Sequence, residues 1–202
     1  MSETAESGVT LRERKRLRTR AILIDAGRRL FEERGYDATT VADIAAAAEI
    51  GTRTFFAYFE SKDQLLFPEA DHRIDVAIAA IKTRSANQTP AQVLLSAIDE
   101  ALTDDEMVSP IAQLRLRLIE EVPAVQARGV RLQLQAQRAI AAALIDAYPE
   151  LDPVPANALV GAFIAASAAA IEARKSTLDR PTGSTAHKEQ LRAAVAYALG
   201  QP

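Results

Sequence analysis

The 202-residue chain has no cysteine, no tryptophan and only two histidines, His72 and His187. Without thiols there is no disulfide framework, no thiolate nucleophile and no cysteine-based zinc site, and two imidazoles cannot build a His-rich metal centre. A Gly-rich phosphate loop, a Ser-containing elbow and a two-His helix motif are missing too. Glu120 and Glu121 are adjacent and point to different faces, so an all-α enzyme finds no acid-base pair to work with. No metal site, no catalytic residue and no cofactor is expected. Aromatic residues make up only 5% of the chain.

An excess of positive charge is also lacking. The formal net charge is −3, which taken over the whole chain argues against a polyanion binder. The distribution says otherwise. Residues 11–20 (LRERKRLRTR) hold six basic residues and one acidic; residues 1–10 contribute −2, residues 11–62 contribute +3 and residues 63–202 contribute −4. This layout describes a basic N-terminal part on an acidic body. The first residues, MSETAESG, are acidic and polar and lack the positive and apolar regions of a secretory signal, so a cytoplasmic location is expected. The most apolar stretch, Val154 to Ile171, is mostly Ala and Gly interrupted by Asn157 and Ser167. A buried helix is expected there rather than a membrane span.

What is abundant is helix-forming residues. Alanine is the commonest residue and Arg outnumbers Lys by 19 to 5, while β-branched residues never alternate with polar ones for long. An all-α fold of about nine helices is expected. Ile22, Ala26, Leu30 and Phe31 make one apolar face of a helix from about Thr19 to the stop at Gly35. Thr39 or Thr40 is a good N-cap, and Thr40 with Asp43 resembles a capping box opening a short helix with Val41, Ile44 and Ala45. A second short helix follows from about Thr52 to Tyr58. Ser61 caps a longer one carrying Leu65, Leu66, Ile74, Ile78 and Ile81, with Pro68 expected to kink it. Thr89-Pro90 opens the next helix, and further ones run roughly 109–122, 123–147, 155–176 and 185–199, with a loop over 179–185.

The segment Thr39 to Lys62, TTVADIAAAAEIGTRTFFAYFESK, has the build of a helix-turn-helix whose second helix lies in the major groove. At the spacings of Ala26, Leu30-Phe31, Gly35-Tyr36, Thr39-Thr40-Val41, Ile44-Ala45, Thr54-Phe55-Phe56, Tyr58-Phe59, Ser61-Lys62 and Leu65-Leu66, residues 21–66 resemble the DNA-binding domain of the TetR family of bacterial transcriptional regulators. The family usually has Gly where this chain has Glu49 and often Ser where it has Gly51. The displaced glycine predicts a slightly altered turn. The resemblance implies a phosphate contact by Thr40 and major-groove positions for Thr52, Arg53 and Ala57, with Arg53 reading guanine. It implies that Thr54, Phe56 and Tyr58 touch phosphates or thymine methyls and that Lys62 reaches the DNA backbone. Phe55 and Phe59 fall on the core side. Arg16, Arg18 and Arg20 either enter a minor groove or track phosphates, or are part of a disordered, soluble basic run.

Three parts are expected: a disordered basic arm over residues 1–17, a three-helix DNA-binding head over 18–66, and a helical body over 67–202. The body resembles the family's ligand-binding and dimerising half, in a subgroup common in high-GC bacteria. It implies a homodimer whose interface draws on Phe163, Ala166, Ala169, Ala173, Leu191, Val195 and Leu199, with Ala162 and Ala165 permitting close helix approach. Leu94, Ile98, Leu114, Leu118, Phe163 and Ser167 are candidates for an effector pocket. Arg115 and Arg117 either serve an acidic ligand or pair with Glu120 and Glu121. The function implied is a repressor released from an inverted-repeat double-stranded DNA operator by a small organic effector, with no membrane partner. A protein-binding helical module without ligand control is the alternative.

Overall fold

The computed structural model describes residues 10–101, 109–173 and 184–201. They divide into two compact units, Met1–Pro68 and Glu69–Pro202, two residues beyond the expected boundary. The described residues contain nine α-helices, one 3-10 helix and no strand.

The first unit is built on α1 (Leu11–Arg34), α2 (Val41–Ala47), α3 (Thr52–Phe56) and the 3-10 turn Lys62–Leu66. The expected disordered arm is corrected here. Thr10 accepts from the Glu13 backbone N–H at 3.2 Å while the Glu13 carboxylate accepts from the Thr10 N–H at 2.8 Å, and this capping box starts α1 at Leu11. The basic residues of 11–17 are therefore helical; residues 1–9 lie outside the described part. Leu23, Ala26, Gly27, Leu30 and Phe31 form the buried face of α1. A Cβ on Gly27 would stand 2.6 Å from Leu65 Cδ1, so the glycine makes room for the 3-10 turn to pack on α1.

The expected kinked helix through Pro68 is corrected as well. The 3-10 turn ends at Leu66, Phe67 takes φ −125 and ψ 52, and α4 begins only at Ala70. Proline has no N–H to continue the ladder, and its ring drives the preceding residue out of the helical region.

The second unit holds α4 (Ala70–Lys82), α5 (Pro90–Ala101), α6 (Pro110–Glu121), α7 (Pro123–Ala147), α8 (Pro153–Ala173) and α9 (Ser184–Ala198). Proline opens α5, α6, α7 and α8, where its missing N–H removes no helical hydrogen bond. Thr89 caps α5 reciprocally with Gln92, and Ser109 accepts from the Ala112 N–H at the start of α6. The core joins Ala77 and Ile81 of α4, Val93, Leu94 and Ile98 of α5, Ile140 and Leu144 of α7, Val160 and Phe163 of α8, and Leu191 and Val195 of α9. Arg84 stacks its guanidinium 4.4 Å over the Tyr148 ring and donates to the Ala147 carbonyl, while Tyr148 donates to the Gln88 carbonyl at 2.9 Å. This clip fastens the α4–α5 connection to the end of α7. Residues 179–183 of the expected loop lie outside the described part, and Ser184 already begins α9.

Helix α8 departs from expectation. Its length and composition suffice to cross a membrane, with a mean hydropathy of 1.8, yet only 17% of that stretch is buried inside the protomer. The expectation of a buried helix is thus met only on the Ala156, Val160 and Phe163 side. Ala158, Ala162, Ala165 and Ala169 form an exposed stripe at helical spacing.

Candidate nucleic-acid interface

The geometry of the head begins with the α1–α2 connection. Gly35 has φ +84 and turns the chain at the end of α1. Thr39, fully buried, donates its hydroxyl proton toward the carbonyls of Gly35 at 2.8 Å and Leu30 at 3.2 Å. Lys62 then ties this loop from the far side. Its ammonium donates to the carbonyls of Tyr36 at 2.7 Å and Thr39 at 2.8 Å and lies 4.2 Å over the Tyr36 ring. Burial, aided by Asp63 and Asp37, pushes the Tyr36 phenol up to about 12, so it stays neutral under that cation.

Thr40 then caps α2. Its hydroxyl accepts from the Asp43 N–H at 3.1 Å and donates to the Asp43 carboxylate at 2.6 Å, and the carboxylate also accepts from the Thr40 N–H at 2.9 Å. These bonds hold the exposed Asp43 carboxyl below its ordinary pKa, the Thr40 hydroxyl being the largest cause.

The α2–α3 turn explains the displaced glycine. The Ile50 N–H reaches the Ala45 carbonyl at 2.9 Å and the Glu49 N–H reaches the Ala46 carbonyl at 3.0 Å, the pattern of a Schellman stop. Such a stop needs a left-handed residue, and Glu49 supplies it at φ +56. Gly51 sits at φ −79 and ψ 154, where any residue is comfortable. The expectation of an altered turn is corrected: the left-handed position stays at residue 49 and a side chain occupies it under strain.

Helix α3 divides its residues cleanly. Phe55 and Phe59 are 0% and 2% exposed with ring centroids 5.8 Å apart, whereas the neighbouring Phe56 is 57% exposed. Thr52, Arg53, Thr54 and Ala57 are exposed as well, and Tyr58 is half-buried. The structure therefore presents Thr40, Thr52, Arg53, Thr54, Phe56 and Ala57 to solvent on a short, well-anchored unit.

Two expected DNA-backbone residues point inward. Arg20 lies 5.2 Å over the Phe59 ring and donates to the Pro68 carbonyl, so it fastens the end of the head. Lys62 is committed to the two loop carbonyls described above. Both side chains found carbonyl acceptors distant in sequence, which local spacing does not reveal. Arg16 and Arg18 are exposed on α1, and neither they nor Arg53 make an ion pair among the described residues. Arg28 and Arg29, by contrast, are balanced within α1, Arg28 by Asp25 at 2.9 Å and Glu32 at 2.6 Å, and Arg29 by Asp25 at 3.3 Å.

In the body the expected pocket residues are packed rather than open. Leu94, Ile98 and Phe163 belong to the core, Leu114 and Leu118 are buried on α6, and Ser167 donates to the Phe163 carbonyl at 2.8 Å. An open depression of about 500 Å³ lies instead on the outer face of α7, lined by Arg131, Leu134, Gln135, Arg138 and Ala139. Among the expected dimer residues, Leu191 and Val195 are buried within the protomer at 1% and 0% exposure. Phe163 is also core, and Ala166 and Leu199 pack against it, while Ala169 and Ala173 are exposed. An apolar helix face buried in its own core has the same sequence pattern as one awaiting a partner. Tyr197, 89% exposed on α9, was not singled out by periodicity, although a large aromatic among alanines marks the position.

A capped helical head presenting a short exposed helix, in one chain with six body helices among the described residues, defines a helix-turn-helix protein of the all-α class. Residues 23–67 match the family described as bacterial regulatory proteins, tetR family. The chain is 33% identical over 136 residues to the HTH-type transcriptional regulator TcmR of Streptomyces glaucescens, across 64% of this chain and 60% of TcmR, less than two thirds of that relative's length. A TetR-family regulator of Syntrophomonas wolfei shares the fold at a TM-score of 0.63 and 15% identity, covering 92% of this chain and 97% of that one. Thermus thermophilus FadR, a TetR-family repressor solved with lauroyl-CoA, does so at 0.52 and 15% identity, covering 89% and 93%. Residues 23–67 therefore form a DNA-binding head of the tetR-family type, and the chain shares the overall fold of solved TetR-family regulators.

Proposed function

We propose that the protein is a homodimeric transcriptional repressor that holds a two-fold symmetric operator and leaves it when a small organic effector binds the body. The observation that carries the reading is the division of α3, which anchors Phe55 at 0% exposure and leaves Phe56 beside it at 57%. A monomeric domain gains nothing from exposing that ring on a helix it otherwise fastens so firmly; a DNA groove gives it a surface to cover. In this reading Thr52, Arg53 and Ala57 face base edges, Arg53 donates to guanine, and Thr54, Phe56 and Tyr58 contact phosphates and thymine methyls. Arg16 and Arg18 follow the phosphates. Thr40 reaches a phosphate once its hydroxyl proton turns from Asp43, while Lys62 and Arg20 position the elements that carry the others.

The exposed face of α8 supports dimerisation. Its alanine stripe and the exposed Tyr197 of α9 offer an apolar face that one protomer leaves open. A second copy with the same face satisfies it by two-fold symmetry, which places two heads on an inverted repeat. The effector shifts the balance between DNA-competent and DNA-incompetent forms only by its differential affinity for the two. The family relationship points to regulation rather than turnover and to a cytoplasmic protein.

Selection of bound fragments from genomic DNA, followed by footprinting, tests the proposal. The expected result is a salt-sensitive complex whose protected region is an inverted repeat. Failure to retain any fragment at low salt would favour the protein-binding module, and co-flotation of the protein with lipid vesicles would assign α8 to a membrane instead.

A further inference from the structure

Several acidic residues of the head have structural work. Asp25 and Glu32 balance Arg28 at 2.9 Å and 2.6 Å, Glu13 closes the cap of α1, and Asp43 closes that of α2. Glu49 does none of this. It is exposed, and its carboxylate makes no hydrogen bond or ion pair among the described residues. Its backbone stands at φ +56, and its place in the α2 stop calls only for a main chain, which glycine would supply without crowding. The head therefore accepts local strain to carry a side chain that holds nothing in the free protein. A strained residue of that kind beside a reading element points to a task in the complex.

Its place decides the task. Glu49 precedes Thr52, the first residue of α3, by three positions and Arg53 by four. Three residues of chain span at most about 11 Å, so Glu49 is tethered beside the first turn of α3. In a helix-turn-helix that end of the second helix contacts base edges, between the phosphates that wall the groove. Arg53 makes no ion pair among the described residues either, so it leaves the carboxylate unneutralised. A carboxylate only accepts hydrogen bonds. It is repelled by phosphates and by the acceptor edges of guanine and thymine, and in the major groove it is satisfied by the amino group of cytosine or adenine.

We propose that Glu49 is a specificity-determining residue of the head: its carboxylate weakens binding to DNA that offers it only phosphates and base acceptors, and spares the operator, where a base amino group meets it. This rests on the reading of α3 as the element in the groove. Specificity is a difference of two affinities, and a charge that raises the energy of the wrong complex widens it as a contact in the right one does. Two unit charges about 10 Å apart in water repel enough to change an equilibrium roughly twofold, so two or three phosphates at that range make the penalty about fivefold at low salt.

The experiment measures binding of the full-length protein, by fluorescence anisotropy over a range of salt, to an operator recovered by genomic selection and to a scrambled duplex of the same length and composition. Glu49→Gln keeps the left-handed residue and its crowding and loses the charge. It binds the scrambled duplex about fivefold more tightly than wild type does, changes operator binding by no more than about twofold, and loses the gain as salt rises. Glu49→Gly, free of both charge and crowding, shows the same loss of discrimination, which assigns the effect to the charge rather than the backbone. Glu150→Gln removes an exposed carboxylate from the body and leaves discrimination as in wild type, which controls for net charge. The readout is a gain of binding, which a misfolded variant does not give. An equal gain on both duplexes, or no gain on the scrambled duplex in either Glu49 variant, overturns the proposal. Failure of wild type to bind either duplex at low salt is a different result, and it overturns the regulatory reading and the proposal with it.

Discussion

Glu49 offers a test of how the reading head is held. It occupies the left-handed residue of the α2 stop at φ +56, where a β-carbon is crowded by its own backbone. A non-glycine residue there costs about 1 kcal/mol, and glycine removes that cost while keeping both hydrogen bonds of the stop, those of Ile50 to Ala45 and Glu49 to Ala46. Glu49→Gly is therefore expected to stabilise the head by about 1 kcal/mol, close to a fivefold shift in its folding equilibrium. Amide hydrogen exchange of the full-length protein reads this as about fivefold slower exchange across α2 and α3 where exchange follows opening, with the body unchanged. Two further variants separate backbone from charge. Glu49→Gln removes the carboxylate and keeps the crowding, so it is expected to leave exchange as it was; Glu49→Asn tolerates the left-handed region and is expected to recover part of the gain. Equal protection in Glu49→Gln and Glu49→Gly would refute the backbone account and assign the effect to charge.

Lys62→Met removes two charged hydrogen bonds from partly buried carbonyls, and a loss of about 2 kcal/mol in head stability is expected by urea titration with head-specific amide signals. Ala165→Glu places a charge on the exposed alanine stripe of α8; sedimentation velocity is expected to show the dimer dissociating while helical content by circular dichroism holds. Asp43 has a folded pKa below its unfolded value, so its contribution is complete above the unfolded pKa and is lost as pH falls through the folded one. Thr40→Val removes the main cause, and the Asp43 carboxyl, followed by NMR titration, is expected to move up toward the ordinary aspartate range.

Much of the head was legible because its information is local. The alternation of Phe55 and Phe59 against Phe56, and the pairing of Thr40 with Asp43, depend on residues within one or two turns, and the structure has both as read. The helix from 123 to 147 was bounded correctly because proline at its first position and the apolar period agree. Where neighbours in space are far apart in sequence, legibility failed. Arg20 and Lys62 resemble free surface cations until Pro68, Tyr36 and Thr39 are placed beside them. Leu191 and Val195 resemble interface residues until α9 is docked on its own core. The start of α1 was missed for another reason: a basic run has no apolar period, although Thr10 and Glu13 at capping-box spacing carry the signal.

The central claim, that α3 reads DNA, is tested most directly by fluorescence anisotropy with an operator recovered by genomic selection, comparing wild type with Arg53→Ala and Phe56→Ala over a range of salt. Both side chains are exposed, so both variants are expected to keep the wild-type fold by circular dichroism. Arg53→Ala is expected to lose about 1–3 kcal/mol of binding and to relax discrimination at one base pair of each half-site. Phe56→Ala is expected to weaken binding without that change in sequence preference. Full-strength, fully selective binding by both variants would contradict the account and place the reading surface elsewhere.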